Sequence, residues 1–390
     1  MVYFMQKAPV ENAVYIVDRM LSNLDPLFSK IIDKALSEKD ISVEEAIRLF
    51  EAKNLEITVL TLVADYLRWR KVGDVVTFVV NRNINFTNEC IVNCPFCAYS
   101  KPPGAPGSYL LSIDEIVKKA IEAWKHGATE VCIQGAINPK VDPEFYLKVL
   151  KGIKKAIPEI HIHAFSPQEV HYFATKADVS YEEALKMLKE AGLDSMPGTA
   201  AEILDDGVRK IIAPRKINVE TWIKIIKTAH KLGIPTTSTI MYGHVDTSYH
   251  KAKHLNIIRE IQKETGGFTE FIPLSFIHYN TRLYKSGIAR PGATGLEDLK
   301  MYAVSRIFFI NYIKNIQVSW VKLGPKYAQA LLNAGTNDFG GTLMEENISK
   351  SAGAPWGESM PVKTIVKLIK DAGRIPAQRT TTYEIIKIYD

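Results

Sequence analysis

The sequence predicts an α/β fold, a TIM-type (β/α) barrel with a helical cap before it and an extension after it. Three observations carry this. From Val75 onward, short and mostly apolar runs alternate with amphipathic segments of crossover length, the pattern of parallel strands with helices outside. The joints repeat: WKHGATEVCI, LKEAGLDSM and AHKLGIPTTSTI each pass through a glycine (Gly127, Gly192, Gly233) that ends a helix and feeds a strand. Six or more such units favour a barrel over a doubly wound sheet, and no strand-linked G-x-G-x-x-G supports a dinucleotide fold.

Taken in order, residues 1–73 read as a helical cap. In LDPLFSKIIDKALSEKD the apolar positions Leu24, Leu27, Ile31, Ile32 and Leu36 share one face. Ser42, with Glu44 and Glu45 behind it, opens SVEEAIRLFEAK, and Gly73 closes ITVLTLVADYLRWRKVG. The barrel core is expected over 74–335, with strands near 75–80, 82–87, 130–134, 160–164, 193–196, 236–241, 268–272 and 315–319. Helices are expected between them at 112–126, 143–157, 180–191, 218–232, 247–264 and 294–310. Residues 336–390 complete the barrel with a loop, a helix at 361–371 and a strand-like tail, TTTYEIIKIYD.

Three of the four cysteines fall in one stretch, NRNINFTNECIVNCPFCAYS, as Cys90, Cys94 and Cys97 in a C-x3-C-x2-C spacing. An alternating run precedes them and the Pro/Gly-rich KPPGAPGSY follows, which places the thiols on a loop at a strand end. Cysteine is otherwise nearly absent, so neither a disulfide framework nor scattered small hydrophobes explains the triad. Three soft thiolates can supply three ligands of a [4Fe-4S] cluster and leave one iron open. A structural zinc site needs a fourth ligand, yet no histidine lies between residues 82 and 125 and Cys132 stands alone. Phe96 and Tyr99 are expected to shield the cluster from water.

Chemistry in a barrel gathers where strands end, and these ends are polar. Gln134-Gly135 follows the second; Gly135 either lets a ligand approach the backbone or is a plain loop glycine. Beside an open iron, a natural ligand is a small molecule that chelates through amine and carboxylate, as the methionine part of S-adenosylmethionine does. His161 and His163 alternate, so they share a face, as a satisfied core pair or as substrate contacts. Glu202 follows the fourth strand, and Tyr242 and His244 end the fifth as a polar relay or as packing. The segment GTNDFGGTLMEENISKSAGAPWGESM, with Asn337, Asp338, Glu345 and Glu346, is either a turn-rich surface loop or a substrate-contacting rim.

Composition narrows the classes. The chain of 390 residues is 46% hydrophobic and 24% charged, ordinary for a globular protein. No apolar span approaches the length of a membrane helix, and the N-terminus is too soon acidic for a signal peptide. Reduced thiols point to the cytoplasm. The net charge of +6 comes from lysines dispersed through helical segments, which argues against nucleic acid as a partner.

C-x3-C-x-Φ-C, with Phe96 in the aromatic position, resembles the signature of radical S-adenosylmethionine enzymes. NINFTNEC, FCAYS, HIHAFSP, EAGLDSMPGTAAEIL, RKIIAP and NDFGGTLMEEN together resemble one branch of that superfamily. The branch holds the tyrosine-transferring FO synthase subunits of coenzyme F420 biosynthesis and two menaquinone enzymes of the futalosine route. Thr199-Ala200 in MPGTAAEIL makes the chain most similar to the former. The resemblance implies that Cys90, Cys94 and Cys97 bind a [4Fe-4S] cluster and that Gln134, Gly135, Phe96 and Tyr99 lie against cluster and S-adenosylmethionine. His161, His163, Glu202, Asn337, Asp338, Glu345 and Glu346 become candidates for the substrates, L-tyrosine and 5-amino-6-(D-ribitylamino)uracil. It implies cleavage of the tyrosine Cα–Cβ bond, addition of the 4-hydroxybenzyl group to C5 of the uracil, a second FO synthase subunit as transient partner, and an electron donor of unassigned identity. A futalosine-route enzyme acting on a nucleoside, a zinc enzyme and a non-catalytic Fe-S electron carrier or scaffold remain as alternatives.

Overall fold

The computed structural model describes residues 11–389, with side chains from 16 onward. Four helices come first: α1 (Glu11–Leu21), α2 (Pro26–Leu36), α3 (Val43–Phe50) and α4 (Leu55–Val72). Ser42 caps α3 as expected, with Glu45 returning a hydrogen bond to the Ser42 backbone. These helices bury Phe28, Ile31, Ile32, Val59 and Leu60 in the main core. Their connection is also polar, because Arg259 Nη1 donates to Ile41 O at 2.8 Å.

The strands are β1 (Val75–Val79), β2 (Asn81–Ile84), β3 (Glu130–Ile133), β4 (His161–Ala164), β5 (Thr236–Tyr242), β6 (Phe268–Ser275), β7 (Asp338–Gly341), β8 (Ile375–Arg379) and β9 (Ile385–Ile388). Between β2 and β3 lies α5 (Ile113–Lys125), then α6 (Pro143–Ala156) before β4. Four helices separate β4 from β5: α7 (Pro167–Ala177), α8 (Tyr181–Glu190), α9 (Asp206–Ile212) and α10 (Val219–Lys231). After β5 come α11 (Ser248–Thr265), α12 (Arg282–Lys285), α13 (Gly295–Phe309), α14 (Trp320–Leu323) and α15 (Pro325–Ala330), with α16 (Asn347–Ala352) and α17 (Val362–Asp371) following β7.

The parallel pairings form a ring. β2 pairs β3 and β3 pairs β4. His163 bridges Ser195 and Met196 bridges Thr236, so two residues carry the sheet from β4 to β5. β5 pairs β6, Phe271 bridges Ile316, Gln317 bridges Asp338, and β7 pairs β1, which runs on into β2. The expected strands at 193–196 and 315–319 are therefore single bridges rather than full ladders. The fold class stands: a TIM-type barrel.

Several elements depart from expectation, while β9 falls inside the expected strand-like tail. Residues 167–177 form α7, opened by Ser166 and Pro167 with Glu169 completing the capping box. β7 lies inside the stretch expected as a surface loop or a substrate-contacting rim, where DFGG closes the ring. β8 pairs β1 in parallel, and β9 folds back antiparallel onto β8. The segment between them turns beneath the barrel, and Arg379, Thr381 and Tyr383 hydrogen-bond Asp338, Glu130 and Glu270. The tail thus stoppers the N-terminal mouth, and the C-terminal mouth opens into a cavity.

Candidate active site

The cysteine loop lies over the C-terminal mouth. Backbone bonds pin it: Cys90 N to Lys101 O (2.8 Å), Ile91 N to Ile137 O (2.9 Å) and Cys97 N to Cys94 O (3.1 Å). Asn93 turns the chain at φ +50°, a conformation asparagine tolerates better than most residues. Arg282 donates to both Asn93 O and Oδ1 at 2.7 Å, and Leu283 N donates to Pro95 O, so α12 braces the loop from outside.

Cys90, Cys94 and Cys97 all line one cavity of about 390 Å³. Among the described residues no three His, Cys, Asp or Glu side chains converge as for a single metal ion. Three thiols on one loop, facing one cavity, suit a cluster, in which each thiolate takes a different iron. Burial pushes the Cys94 thiol up to about 12, and nearby Lys216 opposes the shift. A thiol so placed ionises when a cation binds it. The donor set therefore fits an iron–sulfur cluster.

The cavity is lined by Phe96, Tyr99, Gln134, Gly135, His163, Glu202 and Glu346 from the expected set. Tyr99 directs its hydroxyl to Thr87 O and Tyr109. Gly135 is explained by packing: a Cβ there would sit 2.2 Å from Phe86 Cζ, against a buried ring. Its N–H donates to Glu169 Oε1 at 2.9 Å. Glu202 forms an ion pair with Lys216, whose ammonium lies 5.1 Å from the Phe96 ring centre. His163 Nδ1 and His161 Nε2 each lie 2.7 Å from Ser195 Oγ, so one hydroxyl joins the two rings. Burial lowers both, His163 to about 4, which keeps the pair neutral.

Six expected residues do not line the cavity. His161 sits behind His163. Tyr242 is fully buried and donates to Asp298 Oδ1 at 2.6 Å, while His244 bonds Met241 O at 3.0 Å, so neither forms a relay at the cavity. Asn337 Oδ1 accepts from Arg306 Nη2 and from Ile316 N, an interior brace. Asp338 accepts from Thr77 and from the Arg379 guanidinium. Glu345 is held by Arg82 and Lys119 at 2.7 and 2.8 Å, outside the barrel.

The structure adds wall residues that the sequence reading passed over: Glu130, Glu169, Lys216, Glu270, Lys322, Ser349 and Arg379. The Ser-x-x-Glu signature at 166–169 and the final lysine of APRK were the available signals. Glu169 Oε2 accepts from Ser166 N and Oγ, both at 2.7 Å, yet burial still raises its carboxyl to about 7. Four buried atoms on the cavity wall have no protein partner: Asn85 Oδ1, Ser100 Oγ, Thr199 Oγ1 and Ser349 Oγ. Buried polar groups are normally satisfied, so these four atoms leave hydrogen-bonding capacity on the wall for a polar ligand.

Residues 84–255 match the family model described as the radical SAM superfamily, and residues 265–390 match the one described as the CofH/MqnC C-terminal region. Solved structures share the fold. Methylornithine synthase superposes at a TM-score of 0.71 and 17% identity, over 89% of this chain and 97% of that one. The FeFe-hydrogenase maturase HydG from Carboxydothermus hydrogenoformans does so at 0.70 and 16%, over 96% and 84%. Barrel, cysteine loop and domain match together define a radical S-adenosylmethionine protein. Two curated relatives narrow the class. The 5-amino-6-(D-ribitylamino)uracil--L-tyrosine 4-hydroxyphenyl transferase of Methanocaldococcus jannaschii is 56% identical over 90% of this chain and 98% of its own length. The enzyme of the same name from Methanothermobacter thermautotrophicus is 49% identical over 94% and 99%. The chain belongs to this family of 4-hydroxyphenyl transferases. No helix among the described residues is long and apolar enough to cross a membrane.

Proposed function

We propose that the chain moves the 4-hydroxybenzyl group of L-tyrosine onto C5 of 5-amino-6-(D-ribitylamino)uracil. One observation carries the reading: the three loop thiols open into the same cavity as the unpartnered polar atoms, so cofactor and substrates would share one enclosed space. A [4Fe-4S] cluster with S-adenosylmethionine supplies, when bound, the one-electron cleavage that starts radical chemistry. Cys90, Cys94 and Cys97 would hold the cluster, with Phe96 and Tyr99 limiting water around it. Gln134 and Gly135, backed by Glu169, would face S-adenosylmethionine. The chain's own contribution is positioning and exclusion of water. The α12 brace fixes the loop, the helices at 11–72 cap the barrel, and the tail stoppers the lower mouth, so that the space opens toward the cysteine side. His163 and Glu346 on the wall are the candidates from the sequence that remain for the substrates, together with Glu202 through Lys216. A second FO synthase subunit would receive the adduct, an electron donor would dock near the cysteine loop, and the setting would be a reducing cytoplasm.

The test is anaerobic. The reconstituted protein is given reductant and S-adenosylmethionine, with tyrosine or the diaminouracil present or omitted, and products are followed by mass. The reading expects a hydroxybenzyl adduct that requires both substrates, accompanied by 5′-deoxyadenosine. Cleavage of S-adenosylmethionine without adduct under every combination would overturn it.

A further inference from the structure

Three cationic side chains reach the cavity wall: Lys216, Lys322 and Arg379. Lys216 is paired with Glu202, and Arg379 with Asp338. The side chain of Lys322, on α14, makes no ion pair or hydrogen bond among the described residues, and only its backbone N–H donates, to Ser319 O at 3.1 Å. Burial draws its ammonium below the ordinary lysine range, and Glu346, Glu202 and Cys97 pull the other way. Glu346 faces the same cavity from the start of α16 without closing on Lys322 as an ion pair. Its Oε2 accepts from Ser349 N at 2.8 Å, and its other oxygen has no partner among the described residues. Ser349 is 1% exposed, and its Oγ is one of the orphaned wall atoms.

An ammonium and a carboxylate that line the same cavity gain from pairing, since neither charge is otherwise compensated. Here the fold holds them apart. α14 follows the 316–317 bridge segment and α16 follows β7, and the Gln317–Asp338 bridge makes those segments neighbours in the ring. What fits between opposite charges, with a free hydroxyl beside them, is a molecule carrying both signs on groups attached to one carbon.

We propose that Lys322, Glu346 and Ser349 form a subsite for an α-amino-acid head group, Lys322 taking the carboxylate and Glu346 the ammonium of the tyrosine substrate. The assignment rests on the tyrosine-transfer reading above. S-adenosylmethionine carries the same head group, so the test separates the two sources.

Equilibrium binding to the cluster-loaded protein is measured calorimetrically for four ligands: tyrosine, tyramine (no carboxylate), 3-(4-hydroxyphenyl)propionate (no ammonium) and S-adenosylmethionine. Lys322→Gln is expected to weaken tyrosine and the propionate by about 30-fold or more. Tyramine and S-adenosylmethionine should stay within about 3-fold of wild type, and Lys322→Arg should recover part of the loss. Glu346→Gln should give the crossed pattern, weakening tyrosine and tyramine and sparing the propionate. Thermal melts accompany each variant, and if Lys322→Gln does not fold, the Glu346→Gln pattern decides alone. Equal weakening of all ligands, or weakening of S-adenosylmethionine alone, would overturn the subsite. So would unchanged tyrosine binding in both variants. Wild-type protein that does not bind tyrosine would sink the transfer reading as well, an outcome distinct from the other three.

Discussion

Replacing Glu169 by glutamine should change how stability depends on pH, by an amount the structure sets. The carboxylate receives three hydrogen bonds, from Gly135 N, Ser166 N and Ser166 Oγ, all of which favour its charged form. Burial outweighs them and raises the pKa from 4.5 to about 7. A carboxyl whose folded pKa lies above its unfolded one keeps its proton longer when folded. Its stabilising contribution is complete below about pH 4.5 and is lost as pH rises through 7. The gap of about 2.5 pKa units corresponds to about 3 kcal/mol. For 390 residues the unfolding entropy is about 0.8 kcal/mol/K, so the full effect is worth about 4 °C in Tm. Glutamine cannot ionise, so its melting curve lacks this component. Differential scanning calorimetry of wild type and Glu169→Gln from about pH 5 to about pH 8.5 should show wild type losing about 3 °C relative to the variant. The absolute offset between them is a separate quantity, because the amide NH2 meets a donor at Ser166 and costs about 1–3 kcal/mol at every pH. A Tm difference constant to within about 1 °C across that range would refute the argument that burial dominates at this site.

Three further substitutions test other parts of the design. Arg379→Leu leaves Asp338 and Glu270 as buried carboxylates without their cation, and should cost roughly 3–5 kcal/mol in urea unfolding; a loss under about 1 kcal/mol would mean that the tail does not clamp the lower mouth. Cys94→Ser should lower the iron content of reconstituted protein sharply, whereas Cys132→Ser, which also lines the cavity, should retain the wild-type iron content. Equal iron loss in both would place Cys132 among the cluster ligands.

What could be read in advance follows from which interactions are local. Helix starts are local, and Ser112–Glu115, Ser166–Glu169 and Ser180–Glu183 all close capping boxes in the structure. The second opens a helix, 167–177, outside those expected from sequence, because Ser166-Pro167 follows directly on the end of a strand. The cysteine triad is local as well. Strand β7 was not legible, since Asp338, Gly340 and Gly341 are poor strand formers taken by themselves. Each is required by something distant: Asp338 answers Arg379 from 41 residues away, and a Cβ on Gly341 would sit 2.1 Å from Asn81 Oδ1. The same holds for Tyr242 and Asn337. Their polar character suggested chemistry, but their partners, Asp298 and Arg306, lie where only the closed ring brings them together, whereas His244 turns back onto Met241 O in its own loop.

Lys216 and Lys322 show the converse. In sequence they are two of many dispersed lysines, indistinguishable from cations on solvated helix faces. The barrel turns both inward, yet it compensates only one. Lys216 meets Glu202 because the chain at 199–202 is bent through left-handed residues, Ala200 at φ +61° and Glu202 at φ +45°, a costly backbone for non-glycine residues. The chain before Glu346 is bent in the same way, through Leu343 at φ +60° and Met344 at φ +51°, yet Glu346 stops short of an ion pair with Lys322. Backbone strain stands beside both carboxylates, and only Glu202 meets its lysine. The first pair is complete within the protein, and the second is completed by what binds.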